Sequence, residues 1–268
     1  MLAMHLLLLI ALLANGVILI TAHGGHNDDN KPVSDGVQKL IVISMDGFRH
    51  DFLDIYKAPT LKRLASQGVH AKSLTSSYIT KTFPNHHSIA TGLHEESHGI
   101  VANRMYDPDW NEEFYHCSNS SCAKWYGGQP IWHVNELHGK SKQTQHNVTD
   151  YQKTRTRRHG GAGDVDDSVV ATKRHASGAI YWPGSNASFP NASIQFCENW
   201  VSSDEPGYKN FKQRIDLMIS WFTHPVTPIN LGMLYTEYPD QLCHRYGPES
   251  DEVSVVVIIV TFVVFFCA

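Results

Sequence analysis

Residues 39–47 read Lys-Leu-Ile-Val-Ile-Ser-Met-Asp-Gly, a short apolar run that stops at the acidic Asp46 and at Gly47. A run of this length with such an end is typical of a parallel strand that is buried on both faces. Residues 59–68 then begin with a proline, place apolar residues on one face and end with a glycine. This pattern predicts a helix directly after the strand.

A second block of the same character covers residues 205–250. Apolar residues at helical spacing predict a helix over 211–222, and residues 229–235 form another candidate for a buried strand. The order strand, helix, helix, strand implies an α/β domain. Ligands of such sheets bind at the carboxyl ends of the strands, and Asp46 and Asp240 both lie just beyond such ends.

The composition excludes two classes of protein. The chain has 268 residues, with 22 Lys and Arg against 26 Asp and Glu, which gives a net charge of -4. This balance argues against a partner that is bound by neutralising nucleic-acid phosphates. Hydrophobic residues make up 42% and charged residues 18%, so the chain is not intrinsically disordered.

The N-terminal residues predict export from the cytosol. Residues 1–22 carry a long apolar run, which is typical of a signal peptide. No Lys or Arg precedes the run, so a retained signal anchor is the alternative. Residues 23–36 are a polar linker, and in either case the body is expected outside the cell or on its surface. Four sequons then predict a glycoprotein, at Asn119, Asn147, Asn186 and Asn191.

Two further segments stand apart from the domain predicted over 37–252. Residues 139–178 are polar and Gly-rich without apolar periodicity, which predicts an exposed insertion. Residues 253–268 are uncharged and rich in Val, Ile and Phe, yet shorter than the roughly 20 residues that span a bilayer. Three interpretations stay open for them: a minimal membrane segment, a core strand or a non-native end. We favour the non-native end.

Two groups of residues suggest chemistry on phosphate. Thr82 lies two residues before Pro84, a residue suited to a first helical turn, and the N-termini of helices hold phosphate well. Asp240 and His244 stand four residues apart, so on a helix they share one face and could bind one zinc ion. Such a pair is more often a plain surface pair, and the spacing alone does not identify an enzyme.

Several longer stretches carry a resemblance. They are Ile43-Ser44-Met45-Asp46-Gly47-Phe48-Arg49, Lys81-Thr82-Phe83-Pro84-Asn85-His86, Thr91-Gly92-Leu93-His94, residues 98–108, Pro130-Ile131-Trp132, Trp182-Pro183-Gly184-Ser185 and residues 235–248. In content and order they resemble the ectonucleotide pyrophosphatase/phosphodiesterase family, and the membrane-bound members of type 4 and type 5 look most similar. The resemblance implies an alkaline-phosphatase-like α/β fold, with a sheet flanked by helices, and two zinc ions.

The resemblance also implies roles for single residues. Asp46 and Thr82 would bind one zinc ion, and Thr82 would be the nucleophile that becomes nucleotidylated. Asn103 would stabilise the phosphoryl oxygen, and Asp240 and His244 would bind the second zinc ion. Trp182 and Tyr235 would line the substrate pocket, with core packing as the equal alternative. The implied substrate is a nucleotide or another small phosphodiester, and a membrane association is part of the expectation.

The chain departs from the family pattern after Pro248. The family's second Asp-His pair, in a Ser-Asp-His-Gly stretch, and its last His ligand are expected further on, and this sequence contains no Asp-His-Gly. Each zinc ion would then have two protein ligands, fewer than the three typical of catalytic zinc. The sheet would also be incomplete at its C-terminus and leave an exposed edge. Two hypotheses follow: the first is a zinc-dependent phosphodiesterase, and the second is a catalytically inactive truncated relative or the product of a faulty gene model.

Overall fold

The computed structural model describes residues 17–22, 37–116, 120–139 and 175–257, and of residues 17–22 it describes the backbone alone. The central sheet has five strands in the order β1-β2-β7-β5-β6, and β3 and β4 form a separate hairpin. The strands are β1 Val17–Ala22, β2 Lys39–Met45, β3 Arg104–Asp107, β4 Glu112–Tyr115, β5 Ser177–Ile180, β6 Phe196–Glu198 and β7 Leu231–Thr236.

The four strands β2, β7, β5 and β6 run parallel, as the two apolar runs predict. Leu40 pairs with Leu231 and Met45 with Thr236, so β2 and β7 end at the same edge of the sheet. Every residue of β5 and β7 is buried, because helices cover the faces of the sheet. The predicted α/β fold with a sheet flanked by helices is confirmed.

Both helices that the sequence predicts by apolar spacing are present in the structure. The helix predicted over 59–68 is α2, and the helix predicted over 211–222 is α6, which begins with a capping box formed by Asn210 and Gln213. The helices are α1 Phe52–Ile55, α2 Pro59–Gln67, α3 Thr82–Thr91, α4 Glu95–His98, α5 over 131–139, α6 Phe211–Phe222, α7 Asp240–Tyr246 and α8 over 251–257.

Helix α6 packs closely on β5 and β7, and two strand glycines make this possible. A Cβ atom on Gly178 would lie 2.6 Å from the ring of Trp221, and one on Gly232 would lie 2.6 Å from the sulfur of Met218. Any larger residue at either position would push α6 away from the sheet. This close packing matters for the site, because β7 leads directly into it.

The outer side of β2 is paired in the structure, so the edge of the sheet on this side lies at β1. Residues Val17–Ala22 pair antiparallel with Lys39–Ser44 over their whole length. These residues fall within the segment 1–22 that the sequence predicts as a signal peptide or anchor, and that prediction stays a prediction. Among the helices of the described residues, none has the length and apolar character needed to cross a bilayer.

The boundaries of the two atypical segments need correction. The insertion predicted over 139–178 extends too far, because the buried strand β5 begins at Ser177, while residues 140–174 lie outside the described residues. Of the tail predicted over 253–268, residues 253–257 belong to α8, and Val253 and Val257 are buried in the core. The interpretation as a core strand is therefore wrong for these five residues. Residues 258–268 lie outside the residues that the structure describes.

Candidate functional site

The two acidic residues that follow neighbouring strands meet at the carboxyl edge of the sheet. Asp46 follows β2, Asp240 begins α7 soon after β7, and the backbone N–H of Asp240 donates to the carbonyl of Asp46 at 2.9 Å. Gly47 lies between them with a φ of 70°, and a Cβ atom there would lie 2.6 Å from the Cα of Asp240. Only glycine allows this backbone conformation and this approach at once. The two carboxylates therefore face one location.

Thr82 is the first residue of α3 and points its hydroxyl at this location. Its Oγ1 donates to Oδ2 of Asp46 at 3.2 Å. The next backbone N–H, that of Phe83, donates to Oδ1 of Asn103 at 2.9 Å. The N-terminus of a helix, a hydroxyl, a carboxylate and an amide thus come together from three separate parts of the chain. This is an arrangement suited to a phosphoryl group.

Tyr235, near the end of β7, lines the pocket and also contacts Asp46 directly. Its phenolic hydroxyl donates to Oδ2 of Asp46 at 2.8 Å. Burial and the negative charge of Asp46 raise the pKa of Tyr235 well above its ordinary value, so the phenol keeps its proton. Asp46 therefore accepts two hydrogen bonds on one oxygen, from Tyr235 and from Thr82. The sequence reasoning placed Tyr235 in the pocket and missed this contact.

His86 hydrogen-bonds to the backbone of Thr82, and the sequence did not identify this role. Its Nδ1 lies 2.7 Å from the carbonyl of Thr82 and must donate there, so its Nε2 accepts from the hydroxyl of Ser44 at 2.8 Å. Burial lowers the pKa of His86 and outweighs the charge of Asp46, which acts to raise that pKa. The ring therefore stays neutral. The ring thereby ties β2 to the first turn of α3. Its position four residues after Thr82, on the same face of the helix, is the signal that could have found it.

Asp240 and His244 share one face of α7, as their spacing predicts. Their side chains approach to 3.5 Å between Oδ2 and Nε2, and the side chain of His244 is exposed. Burial first, and then the charge of Asp46, raise the pKa of Asp240, while His244 and Lys81 act against the increase. Two mutually repelling carboxylates at one location form an environment that a cation would relieve.

The residues described above, except His86 and His244, line or border a cleft of about 530 Å³, the size of a small-molecule site. Its walls contain the acidic residues Asp46, Glu205 and Asp240, and also Glu237, whose charge is paired with the buried Arg214. No Lys or Arg is among the described residues that line it. An anionic ligand would therefore meet a negative surface unless cations accompany it. Other lining residues are Thr82, Phe83, Asn103, Tyr181, Trp182, Asn186, Trp200 and Tyr235.

The donor atoms fit part of a two-zinc site. A carboxylate with a hydroxyl, from Asp46 and Thr82, and a carboxylate with an imidazole, from Asp240 and His244, are ligand types that zinc accepts. Within the described part of the chain, no group of three or more His, Cys, Asp or Glu is placed to hold a metal ion. These four residues would supply two ligands for each ion.

The four predicted glycosylation sites differ in position. Asn119 and Asn147 lie outside the described residues. Asn191 is exposed, whereas Asn186 is half-buried and lines the cleft.

The buried side chain of His87, on α3, is expected to make the free energy of unfolding depend on pH. Nε2 of His87 donates to the carbonyl of Gly127 at 2.9 Å, and its buried Nδ1 has no hydrogen-bond partner within the described residues. Burial lowers the pKa of His87 to about 4, against about 6.5 for an unfolded histidine. The unfolded state therefore binds a proton before the folded state does as the pH falls.

We expect the free energy of unfolding to decrease as the pH falls through about 6.5, and the loss to be complete near pH 4. Its size for His87 is about 3 kcal/mol. Urea unfolding at pH 7.5, 6 and 5 measures how the free energy of unfolding changes with pH. In the variant His87→Phe this change should be smaller by the contribution of one titrating group. An unchanged slope in the variant would assign the pH dependence to other groups, among them His98, whose pKa burial also lowers.

Comparison with known proteins finds a matching family model and several similar proteins. A family model described as type I phosphodiesterase/nucleotide pyrophosphatase matches residues 40–258. The chain is 35% identical over 222 residues to the bis(5'-adenosyl)-triphosphatase enpp4 of Xenopus laevis, across 81% of this chain and 39% of the relative. It is 35% identical over 217 residues to ectonucleotide pyrophosphatase/phosphodiesterase family member 5 of Homo sapiens, across 80% and 36%.

A solved structure matches as well. It is the murine ectonucleotide pyrophosphatase/phosphodiesterase 5, in an inactive threonine-to-alanine variant in complex with AMP. The TM-score is 0.66 at 32% identity, and the match covers 85% of this chain and 51% of that chain. The chain thus spans about two fifths of the length of the curated relatives and about half of the solved chain.

Proposed function

The chain belongs to the type I phosphodiesterase/nucleotide pyrophosphatase family, and from that premise we propose zinc-dependent hydrolysis of nucleotide pyrophosphate or phosphodiester bonds through Thr82. One observation carries the proposal: the hydroxyl of Thr82, at the N-terminus of a helix, is held by Asp46 where two parallel strands end. The murine relative that binds AMP was made inactive by a threonine-to-alanine substitution, which supports the same type of nucleophile here. The relatives' enzyme class makes this a hydrolase family, and the extracellular or cell-surface location is part of the proposal.

The first step forms a bond between Oγ1 of Thr82 and phosphorus. The bond from phosphorus to the leaving oxygen breaks and its electron pair leaves with that oxygen, while the hydroxyl proton of Thr82 passes to Oδ2 of Asp46, to which the hydroxyl already donates. Tyr235 donates to the same oxygen and keeps the carboxylate oriented. Water then attacks phosphorus, and the bond from phosphorus to Oγ1 of Thr82 breaks. The proton on Asp46 returns to Oγ1, one proton of the water leaves to solvent, and the nucleotide is released.

Asn103 is well placed to stabilise the phosphoryl oxygen. Because its Oδ1 accepts from the N–H of Phe83, the orientation of the amide is fixed and its NH₂ group remains a donor. That group donates to none of the described residues. A donor that is fixed in advance stabilises developing negative charge without reorganisation.

Zinc would be held by Asp46 and Thr82 on one side and by Asp240 and His244 on the other, and it would supply activation of the hydroxyl and neutralisation of the leaving oxygen. The acidic cleft itself supports this proposal, since its described lining offers no Lys or Arg to a nucleotide phosphate. Trp182, buried in the wall, would pack beside the ligand.

The test is a titration of the purified chain with AMP, in the presence of Zn²⁺ and in the presence of a chelator. We expect binding at least about tenfold tighter with Zn²⁺, a difference of about 1.4 kcal/mol. Asp240→Asn should weaken the zinc effect, because it removes a carboxylate from the proposed ligand set. Equal affinity in zinc and chelator would contradict the proposal.

A second measurement separates an enzyme from an inactive relative. Hydrolysis of bis(5'-adenosyl) triphosphate is followed with zinc supplied, on this chain and on any longer form of the protein. AMP binding without turnover in all forms would favour the inactive relative.

A further inference from the structure

One sequon lies inside the wall of the cleft. Asn186-Ala187-Ser188 follows the tight turn at Gly184, whose φ is 82°. Asn186 is half-buried and lines the same cleft as Thr82. Its side-chain amide makes no hydrogen bond within the part of the chain that the structure describes. A substituent on this amide would therefore break no existing contact.

A second sequon lies five residues further on and provides a comparison. Asn191-Ala192-Ser193 has an exposed asparagine, with a φ of 67°, that does not line the cleft. Ser188 and Ser193 are both exposed, and neither lines the cleft. The chain thus offers two sequons of identical sequence, one in the cleft wall and one outside it.

We propose that Asn186 carries an N-linked glycan and that this glycan restricts access of nucleotides to the cleft, which rests on the proposed function. Nδ2 of Asn186 forms a bond to the anomeric carbon of an oligosaccharide. The bond from that carbon to a lipid-linked diphosphate donor breaks, and the amide proton leaves with the lipid diphosphate. A cleft of about 530 Å³ is sized for one small ligand, so a sugar chain rooted in its wall competes with a nucleotide for space.

Asn186 shares its cleft with the residues that are proposed to react. The lining of this one cleft contains Asn186, Trp182, Thr82 and Asp46. A glycan on Asn186 is therefore expected to compete with AMP, and with any larger nucleotide, for the space beside Thr82.

The first experiment is glycopeptide mass spectrometry on the full chain secreted from a eukaryotic host. We expect Asn186 to be occupied, and an unmodified Asn186 overturns the proposal. The second experiment compares AMP affinity in zinc between the unaltered protein and Ser188→Ala, which removes the sequon and keeps Asn186. We expect AMP to bind at least about tenfold tighter in Ser188→Ala.

Ser193→Ala is the matched control, because it removes the sequon outside the cleft and should leave the affinity for AMP unchanged. Asn186→Gln serves as a second variant, which keeps an amide in the wall and should reproduce the gain if Ser188→Ala does not fold. An occupied Asn186 with equal affinity for AMP in all variants overturns the proposed restriction of access. Occupancy at Asn186 with no AMP binding by any variant contradicts the proposed function instead and leaves the modified site established.

Discussion

The variant Thr82→Ala is expected to lose at least about a thousandfold in the rate of nucleotide hydrolysis by the active protein. The substitution removes the attacking oxygen and a proposed zinc ligand together. Stability should change little, because among the described residues the hydroxyl of Thr82 hydrogen-bonds only to Asp46, at 3.2 Å. Turnover of a nitrophenyl nucleotide ester, with thermal unfolding measured in parallel, checks both expectations.

Thr82→Ser is the matched variant for this prediction. Serine keeps the oxygen at the N-terminus of α3 and should retain measurable turnover, although it lacks the methyl group that restricts the rotamer of threonine. An alanine variant with turnover near that of the unaltered protein would remove Thr82 from the role of nucleophile.

The parts of the site that follow strand ends could be predicted from the sequence. The apolar run at 39–44 and the candidate strand at 229–235 each end before an acidic residue, and the ends of parallel strands share one edge. The sequence predicted that Asp46 and Asp240 lie just beyond such ends, and the structure joins the two residues there by a backbone hydrogen bond. Their approach through Gly47 is a consequence of the same turn signal.

The contacts that fix side chains could not be predicted in the same way. The hydrogen bond from Tyr235 to Asp46 joins residues 189 positions apart, and its existence depends on the register between β2 and β7. The same holds for His86, which binds Ser44 across 42 positions. Sequence patterns report which face of an element is buried, whereas the partner of a buried polar group depends on how the elements pack.

A buried ion pair, also missed from the sequence, holds the end of β7 beside the cleft. Arg214 on α6 donates to both carboxylate oxygens of Glu237, at 2.7 Å and 3.0 Å, and to the carbonyl of Tyr235 at 3.1 Å. Its Nε donates to the carbonyl of Lys209, and the guanidinium lies 4.2 Å from the ring centroid of Tyr181. The side chains of the pair are 0% and 5% exposed, so water does not stabilise either charge.

The charges of this pair depend on each other. Burial alone would raise the pKa of Glu237, but the Arg214 guanidinium outweighs burial and holds that pKa below its ordinary value. Removing one partner leaves the other charge buried without compensation, which costs about 3–5 kcal/mol. Since whole domains are stable by about 5–15 kcal/mol, a single substitution here is expected to bring the protein close to unfolding.

Arg214→Met and Glu237→Leu are therefore each expected to lower the free energy of urea unfolding by about 3–5 kcal/mol. The exposed pair Lys212 and Asp216 on the same helix is the matched control, because an exposed pair contributes about 1 kcal/mol or less.

The double variant Arg214→Met/Glu237→Leu separates the two sources of this loss. It should recover most of the stability, because neither buried charge remains and the replacements fill similar volume. Nucleotide affinity should not recover with it, since the donor that holds the carbonyl of Tyr235 is also gone, and Tyr235 places its hydroxyl on Asp46. A double variant as unstable as the sum of the single variants would show that Arg214 acts through packing on Tyr181 and not through its charge. Recovery of both stability and affinity would show that β7 keeps its end in place without the ion pair.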